Sequence, residues 1–111
     1  MAYDEDLANR LRELVYQENA VTEKRMFGGL AFLIGGNMAV SASGKGGLLL
    51  RVDPAETDEL VSGPHAQRFE MRGRQMDGWL RIDAEGVRTK RELEKWVRHG
   101  IDYAKSLPAK G

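Results

Sequence analysis

The chain contains no cysteine. That excludes disulfide frameworks, thiolate nucleophiles and every zinc site built on sulfur. Histidine is nearly missing as well: His65 and His99 are its 2 histidines, and neither has a second ligand at metal-binding spacing. No nucleophile motif accompanies them, so no general base, no metal site and no cofactor site is legible. An excess of charge of one sign is also lacking, because 17 basic side chains balance 17 acidic ones. Dedicated nucleic-acid binders are usually strongly basic, so this neutrality argues against that class. Long apolar runs are absent. The longest uncharged stretch, Met26 to Gly44, spans 19 residues but holds five glycines as well as Asn37, Ser41 and Ser43, whereas a bilayer helix needs about 20 apolar residues. The acidic opening, Met1-Ala2-Tyr3-Asp4-Glu5-Asp6, lacks the basic-then-apolar order of a signal peptide. A cytoplasmic protein without a membrane partner is the expectation.

What is present suits one domain. The 111 residues are 41% hydrophobic and 31% charged, a balance that excludes disorder, and the length fits a single unit over residues 1–111. Leu7, Leu11, Leu14 and Val15 make one apolar stripe, with Asp4 as N-cap and Asp6–Arg10 as an i,i+4 pair, so a first helix runs toward Asn19. From Val21 to Val52 the period falls to two. Strands are expected over Thr22–Phe27, Leu30–Ile34, Met38–Ser43 and Leu48–Val52, with turns at Gly28-Gly29, Gly35-Gly36-Asn37 and Gly44-Lys45-Gly46. Connections this short make an antiparallel meander. Asp53-Pro54-Ala55-Glu56 starts a second helix of about two and a half turns, which Gly63-Pro64 ends. Alternation resumes over Gln67–Arg72 and, after a loop around Gly73, over Trp79–Ile82. Thr89-Lys90-Arg91-Glu92 is a capping box that opens a last helix, with Leu93, Trp96, Val97, Ile101 and Ala104 on its apolar face and Glu94–Arg98 as a second i,i+4 pair. The order α-β-β-β-β-α-β-β-α predicts an α+β, two-layer domain, an antiparallel β-sheet with helices covering one face.

Motifs for chemistry fail on inspection. Around Gly44-Lys45 a phosphate loop would need glycine where Ala39 stands and a hydroxyl where Gly46 stands. The carboxylate pairs Asp4/Asp6 and Glu92/Glu94 fall at helix starts, where capping accounts for them. The basic cluster is more informative. Arg68, Arg72 and Arg74 crowd the second hairpin, and Arg81 lies on its return strand beside Trp79. They either pair with Glu70, Asp77, Asp83 and Glu85 on a solvated face, or contact an anion or nucleic acid with Trp79 as a stacking surface. Met38 and the other methionines read as core filling, with an adaptable groove as the alternative.

Two blocks carry a family resemblance. Val21-Thr22-Glu23-Lys24-Arg25-Met26-Phe27-Gly28-Gly29-Leu30-Ala31-Phe32, and Phe69-x-Met71-x-Gly73-Arg74-x-Met76-x-Gly78-Trp79-Leu80, together with the last helix and Ser106-Leu107-Pro108, resemble the TfoX/Sxy N-terminal domain family. Gln75 stands where the pattern has proline. The resemblance implies a fold similar to that of secretion chaperones. For longer, bacterial members with a second domain it implies regulation of natural competence as transcriptional coactivators. It brings no catalytic residues.

Taken together, these features predict a non-enzymatic protein-interaction module, of transcription or competence-regulator type. Its interaction surface is expected at Phe27, Gly28, Gly29, Arg68, Arg72, Arg74, Trp79 and Arg81. Another protein is the expected partner, and an exposed sheet edge leaves a homodimer open. The rival readings are a nucleic-acid-associated protein using the arginine-bearing hairpin, and a small-ligand binder with a pocket between sheet and helices.

Overall fold

The computed structural model of the chain describes residues 4–26, 28–44, 46–71 and 73–108. Helix α1 (Glu5–Val15) starts where its cap predicts: Asp4 Oδ1 accepts the backbone N–H groups of Asp6 at 2.9 Å and Leu7 at 3.2 Å. Four strands follow, β1 (Val21–Met26), β2 (Gly29–Ile34), β3 (Asn37–Ala42) and β4 (Leu48–Arg51). A 3₁₀ turn (Pro54–Glu56) leads into the short helix α2 (Thr57–Val61). Strands β5 (Ala66–Met71) and β6 (Arg74–Ile82) then form a hairpin, and a 3₁₀ turn (Ala84–Val87) delivers the chain to α3 (Lys90–Ser106). The expected order of elements holds. All pairings are antiparallel, in one open six-stranded sheet ordered β1-β2-β3-β4-β6-β5, an α+β architecture. Strand β6 inserts beside β4, which leaves β5 at one edge and β1 at the other.

Several local expectations are corrected. The second helix is not continuous: Asp53 caps Ala55 at 2.9 Å, and the helical path changes at Thr57. The reason is tertiary, because the buried Thr57 hydroxyl accepts the N–H of Gly78 at 2.7 Å and so ties this segment to β6. Asn37 is not a turn residue. It opens β3, buried, and its Nδ2 donates to the carbonyl of Pro108 at 2.9 Å, which anchors the chain beyond α3. The sixth strand begins at Arg74 rather than near Trp79, because a register shift between Arg68–Leu80 and Phe69–Met76 absorbs extra residues in β6. Gly78 sits in that shift at φ +86°, a conformation costly for any residue with a Cβ. Gln75 is therefore a strand residue opposite Glu70. Arg10 does not pair with Asp6 but donates to the carbonyls of Val87 and Arg88, at 2.9 and 3.3 Å. Arg98 faces Glu18 and Asp102 instead of Glu94, and Lys105 meets Glu18 at 2.9 Å. Arg98–Asp102 is itself an i,i+4 pair of α3, but the other contacts join α1 and the residues just after it to α3 and the residues just before it, where a helix-local pairing rule has no view.

The main core lies between the sheet and the two long helices. Leu7, Leu11 and Val15 of α1 and Leu93, Val97 and Ile101 of α3 bury against Phe32, Val40, Leu48, Leu50, Leu80 and Ile82. Helix α3 approaches the sheet closely at Gly100, where a Cβ would stand 2.4 Å from the carbonyl oxygen of Ala39. Trp96 is buried here, as core packing predicts. The N-cap of α3 is formed: Glu92 N–H donates to Thr89 Oγ1 at 3.1 Å, and Glu92 Oε1 reaches back to accept the Thr89 hydroxyl, at 3.0 Å, where a full capping box would have it accept the backbone N–H. No helix among the described residues is long and apolar enough to cross a membrane.

Candidate interaction face

Side chains alternate across a strand, so the register assigns every strand residue to a face. One row runs through all six strands: Lys24, Ala31, Ser41, Leu49, Arg81 and Gln67. Thr22, Leu33 and Met38 form a neighbouring row on the first three strands, and Arg51 is paired with Trp79 on β4 and β6. Arg51 ends β4, and its guanidinium also meets Tyr103 of α3, whereas the residues of both rows and Trp79 point away from the helical core. There they build a second apolar cluster in which Ala31, Met38 and Leu49 are buried under half-buried Leu33, Phe69 and Trp79. Among the described residues, no helical residue belongs to this cluster. Met38 thus fills a core, although on the side opposite to the helices.

The charges on this face are mostly positive. Lys24 is exposed at the β1 end of the long row, and Arg81 is half-buried near the β5 end. The strands contain three carboxylates, Glu23, Glu70 and Asp77. Glu23 lies on the helical side, where Arg12 holds it through Nε and Nη2, both at 2.9 Å. The Arg12 guanidinium lowers the Glu23 carboxyl below the usual glutamate value against a smaller opposing effect of burial, and the Tyr16 hydroxyl, also bonded to Glu23, is raised by that same carboxylate. Asp77 is engaged by Arg68 at 2.9 Å. Glu70, on edge strand β5, lines a groove of about 710 Å³ with Phe69, Gln75 and Arg81.

The residues expected to form the interaction surface separate into groups. Phe27 and Arg72 lie outside the described residues. Gly28 turns the chain at φ +75° with open space around it. Gly29 is where backbones meet: a Cβ there would stand 2.0 Å from the carbonyl oxygen of Ala42. Arg68 is half-buried and paired with both Asp58 and Asp77, which joins α2 to the second hairpin. Arg74 is exposed at the start of β6. Trp79 and Arg81, two residues apart on β6, share the face opposite the helices.

Arg51 is the feature that sequence reasoning missed. Its guanidinium carbon lies 5.2 Å from the ring centre of Trp79 and 5.5 Å from that of Tyr103 on α3. Alternation in β4 already puts Leu49 and Arg51 on one face. Which aromatic rings would flank Arg51 depends on β6 lying next to β4, and no local pattern specifies that.

Both histidines line a separate groove of about 570 Å³ with Glu56, Glu92 and Trp96. His65 Nδ1 is 2.9 Å from Asp83 Oδ1, and His99 Nδ1 is 3.7 Å from Glu56 Oε1. The hydroxyl in that groove, Ser62, donates to the carbonyl of Glu59 at 2.6 Å. Among the described residues, no three metal-ligating side chains converge on one point.

Comparison with known proteins gives one finding. The family model described as the TfoX N-terminal domain matches residues 13–104, from within α1 to near the end of α3. No curated protein and no solved structure matches.

Proposed function

We propose that this chain, which belongs to the TfoX N-terminal domain family, acts as a non-enzymatic interaction module that binds a partner protein through the sheet face opposite α1 and α3. The observation that carries the proposal is the second apolar cluster, Ala31, Met38 and Leu49 under Leu33, Phe69 and Trp79, to which no helical residue among the described residues belongs. An apolar centre with a polar, charged rim is the anatomy of a protein interface. A regulatory role of the competence type is the finer form of the proposal, and it rests on the family.

The test is affinity capture with the wild-type chain and with Leu33→Asp, each with and without nuclease. Leu33 is half-buried, so a carboxylate there disturbs the face more than the fold. We expect a protein partner retained by the wild type, indifferent to nuclease, and reduced about tenfold or more by Leu33→Asp, the loss typical of a central interface residue. Unchanged melting of the variant shows that the fold survives. A partner that binds both chains equally, or that leaves on nuclease treatment, overturns the proposal.

A further inference from the structure

Arg51 differs from the other arginines that the structure places near carboxylates. Arg12, Arg68, Arg88 and Arg98 all make ion pairs, whereas among the described residues Arg51 makes none. It is held instead by the rings of Trp79 and Tyr103, and it remains half-buried. A cation–π contact uses the charge of a guanidinium without consuming a carboxylate, and among the described residues no carboxylate occupies the N–H groups of Arg51, the part that binds carboxylates in a fork. Stacking also pre-orders a side chain that would otherwise lose rotamer freedom on binding. The apolar cluster adjoins it, since Arg51 follows Leu49 by two residues and Trp79 belongs to both groups.

We propose that Arg51, at the end of β4 where the open face meets Tyr103 of α3, is the carboxylate-binding residue bordering this face, and that its occupant is a segment of a partner protein bearing an aspartate or glutamate beside aliphatic side chains. The inference rests on the interaction-module reading and specifies the partner's chemistry. The acid pairs with Arg51 while the apolar side chains cover Leu33 and the Met38–Leu49 centre. Lys24 and Arg81 add positive charge along the same face, against which Glu70 stands at the far edge in β5. A nucleic acid fits less well. Aliphatic side chains make up most of the cluster, Phe69 is half-buried, Trp79 already contacts Arg51, and Arg68 is committed to two aspartates, which leaves bases little surface to stack on.

The experiment selects binders from a random peptide library displayed on phage, then titrates one synthetic peptide against wild type, Arg51→Gln, Arg51→Lys and Leu33→Asp. Selected peptides should share an acidic residue next to Leu, Ile, Met or Phe. Arg51→Gln should weaken binding about tenfold or more, as charge-assisted hydrogen bonds allow, and Arg51→Lys should restore only part of it. Changing the peptide's acid to its amide should cost as much on the wild type and nothing further on Arg51→Gln. Should Arg51→Gln lose its cooperative melt, the acid-to-amide change on the wild-type protein carries the test alone. Binding abolished by Leu33→Asp but untouched by Arg51→Gln overturns the role of Arg51 and leaves the face standing. Binding untouched by either variant overturns both. A single-stranded oligonucleotide that binds more tightly than any selected peptide, through Arg51, overturns the choice of partner.

Discussion

The two faces of this sheet are buried by different means. On one, α1 and α3 lay leucines, valines and an isoleucine over Phe32, Val40, Leu50 and Leu80. On the other, the sheet closes itself: small residues, Ala31 and Ser41, leave room for half-buried Leu33, Phe69 and Trp79 to lie over Met38 and Leu49. Burial alone therefore does not distinguish a structural face from a recognition face. The difference is in what does the covering. A helix held by the chain's own connections is removed only by unfolding, whereas a few side chains can move to admit a partner's at the cost of their rotamers.

Adjacent leucines on β4 offer the largest test of that contrast. Leu50 faces the helices and Leu49 the open side, and both are buried. Leu50→Ala leaves a cavity enclosed by sheet and helix, and we expect a loss of about 3–4 kcal/mol. Leu49→Ala should cost about 2 kcal/mol or less, because neighbouring side chains and water can settle into the gap. Urea unfolding of both variants, read at constant slope, measures the pair. Equal losses would mean that the open face is as rigid as the core, and the distinction would fail.

Helix α3 gives a sharper probe of the covered face. Gly100→Ala should gain about 1 kcal/mol from helix propensity. Against that, the new Cβ would stand 2.4 Å from the Ala39 carbonyl oxygen and 2.8 Å from Leu50 Cδ1. A backbone oxygen inside a sheet cannot give way as a side chain can, so overpacking wins and the net loss should be about 2 kcal/mol. Thermal melting would show it as a drop of roughly 4–8 °C per kcal/mol. A variant that melts higher than the wild type would show that α3 can lift from the sheet, and that the covered face is the adaptable one.

What the chain reveals before it folds follows the same division. The caps at Asp4, Asp53 and Thr89 were legible because each contact spans three residues or fewer. All six strands, the last with its start misplaced, and the two long helices followed from period, and their order gave the α+β class. Asn37 was misread because its partner, the Pro108 carbonyl, is 71 residues away. The split of the second helix depends on Thr57 finding Gly78, and the Arg51 stack on β6 lying beside β4. Two members of the proposed site, Trp79 and Arg81, were visible as a pair on one strand, whereas Arg51 had no local signal beyond sharing a face with Leu49. Long-range register thus decides the face, and residue type decides only what the face can bind.

The smallest expected effect concerns how α1 is tied to the sheet edge. Glu23 on β1 receives Arg12 through both carboxylate oxygens, and its carboxyl is lowered chiefly by that contact. A lowered folded-state value means that the ion pair stabilises the fold above the unfolded glutamate pKa of about 4.3, and that this contribution disappears as pH falls through the folded value. Glu23→Gln removes the charge while keeping an acceptor for Arg12. Because the Arg12 side chain is 35% exposed, solvent screening holds the expected loss at pH 7 to about 0.5–1 kcal/mol. The gap between wild type and variant should narrow as pH drops from about 5 toward 3 and close below the folded value. Urea midpoints measured across that range decide it. A gap that persists at the acid end would mean that the glutamine disturbs packing at β1 and that charge is not what holds α1 there. In that case the helical side of the sheet, like the open side, would be closed at its edge by shape alone.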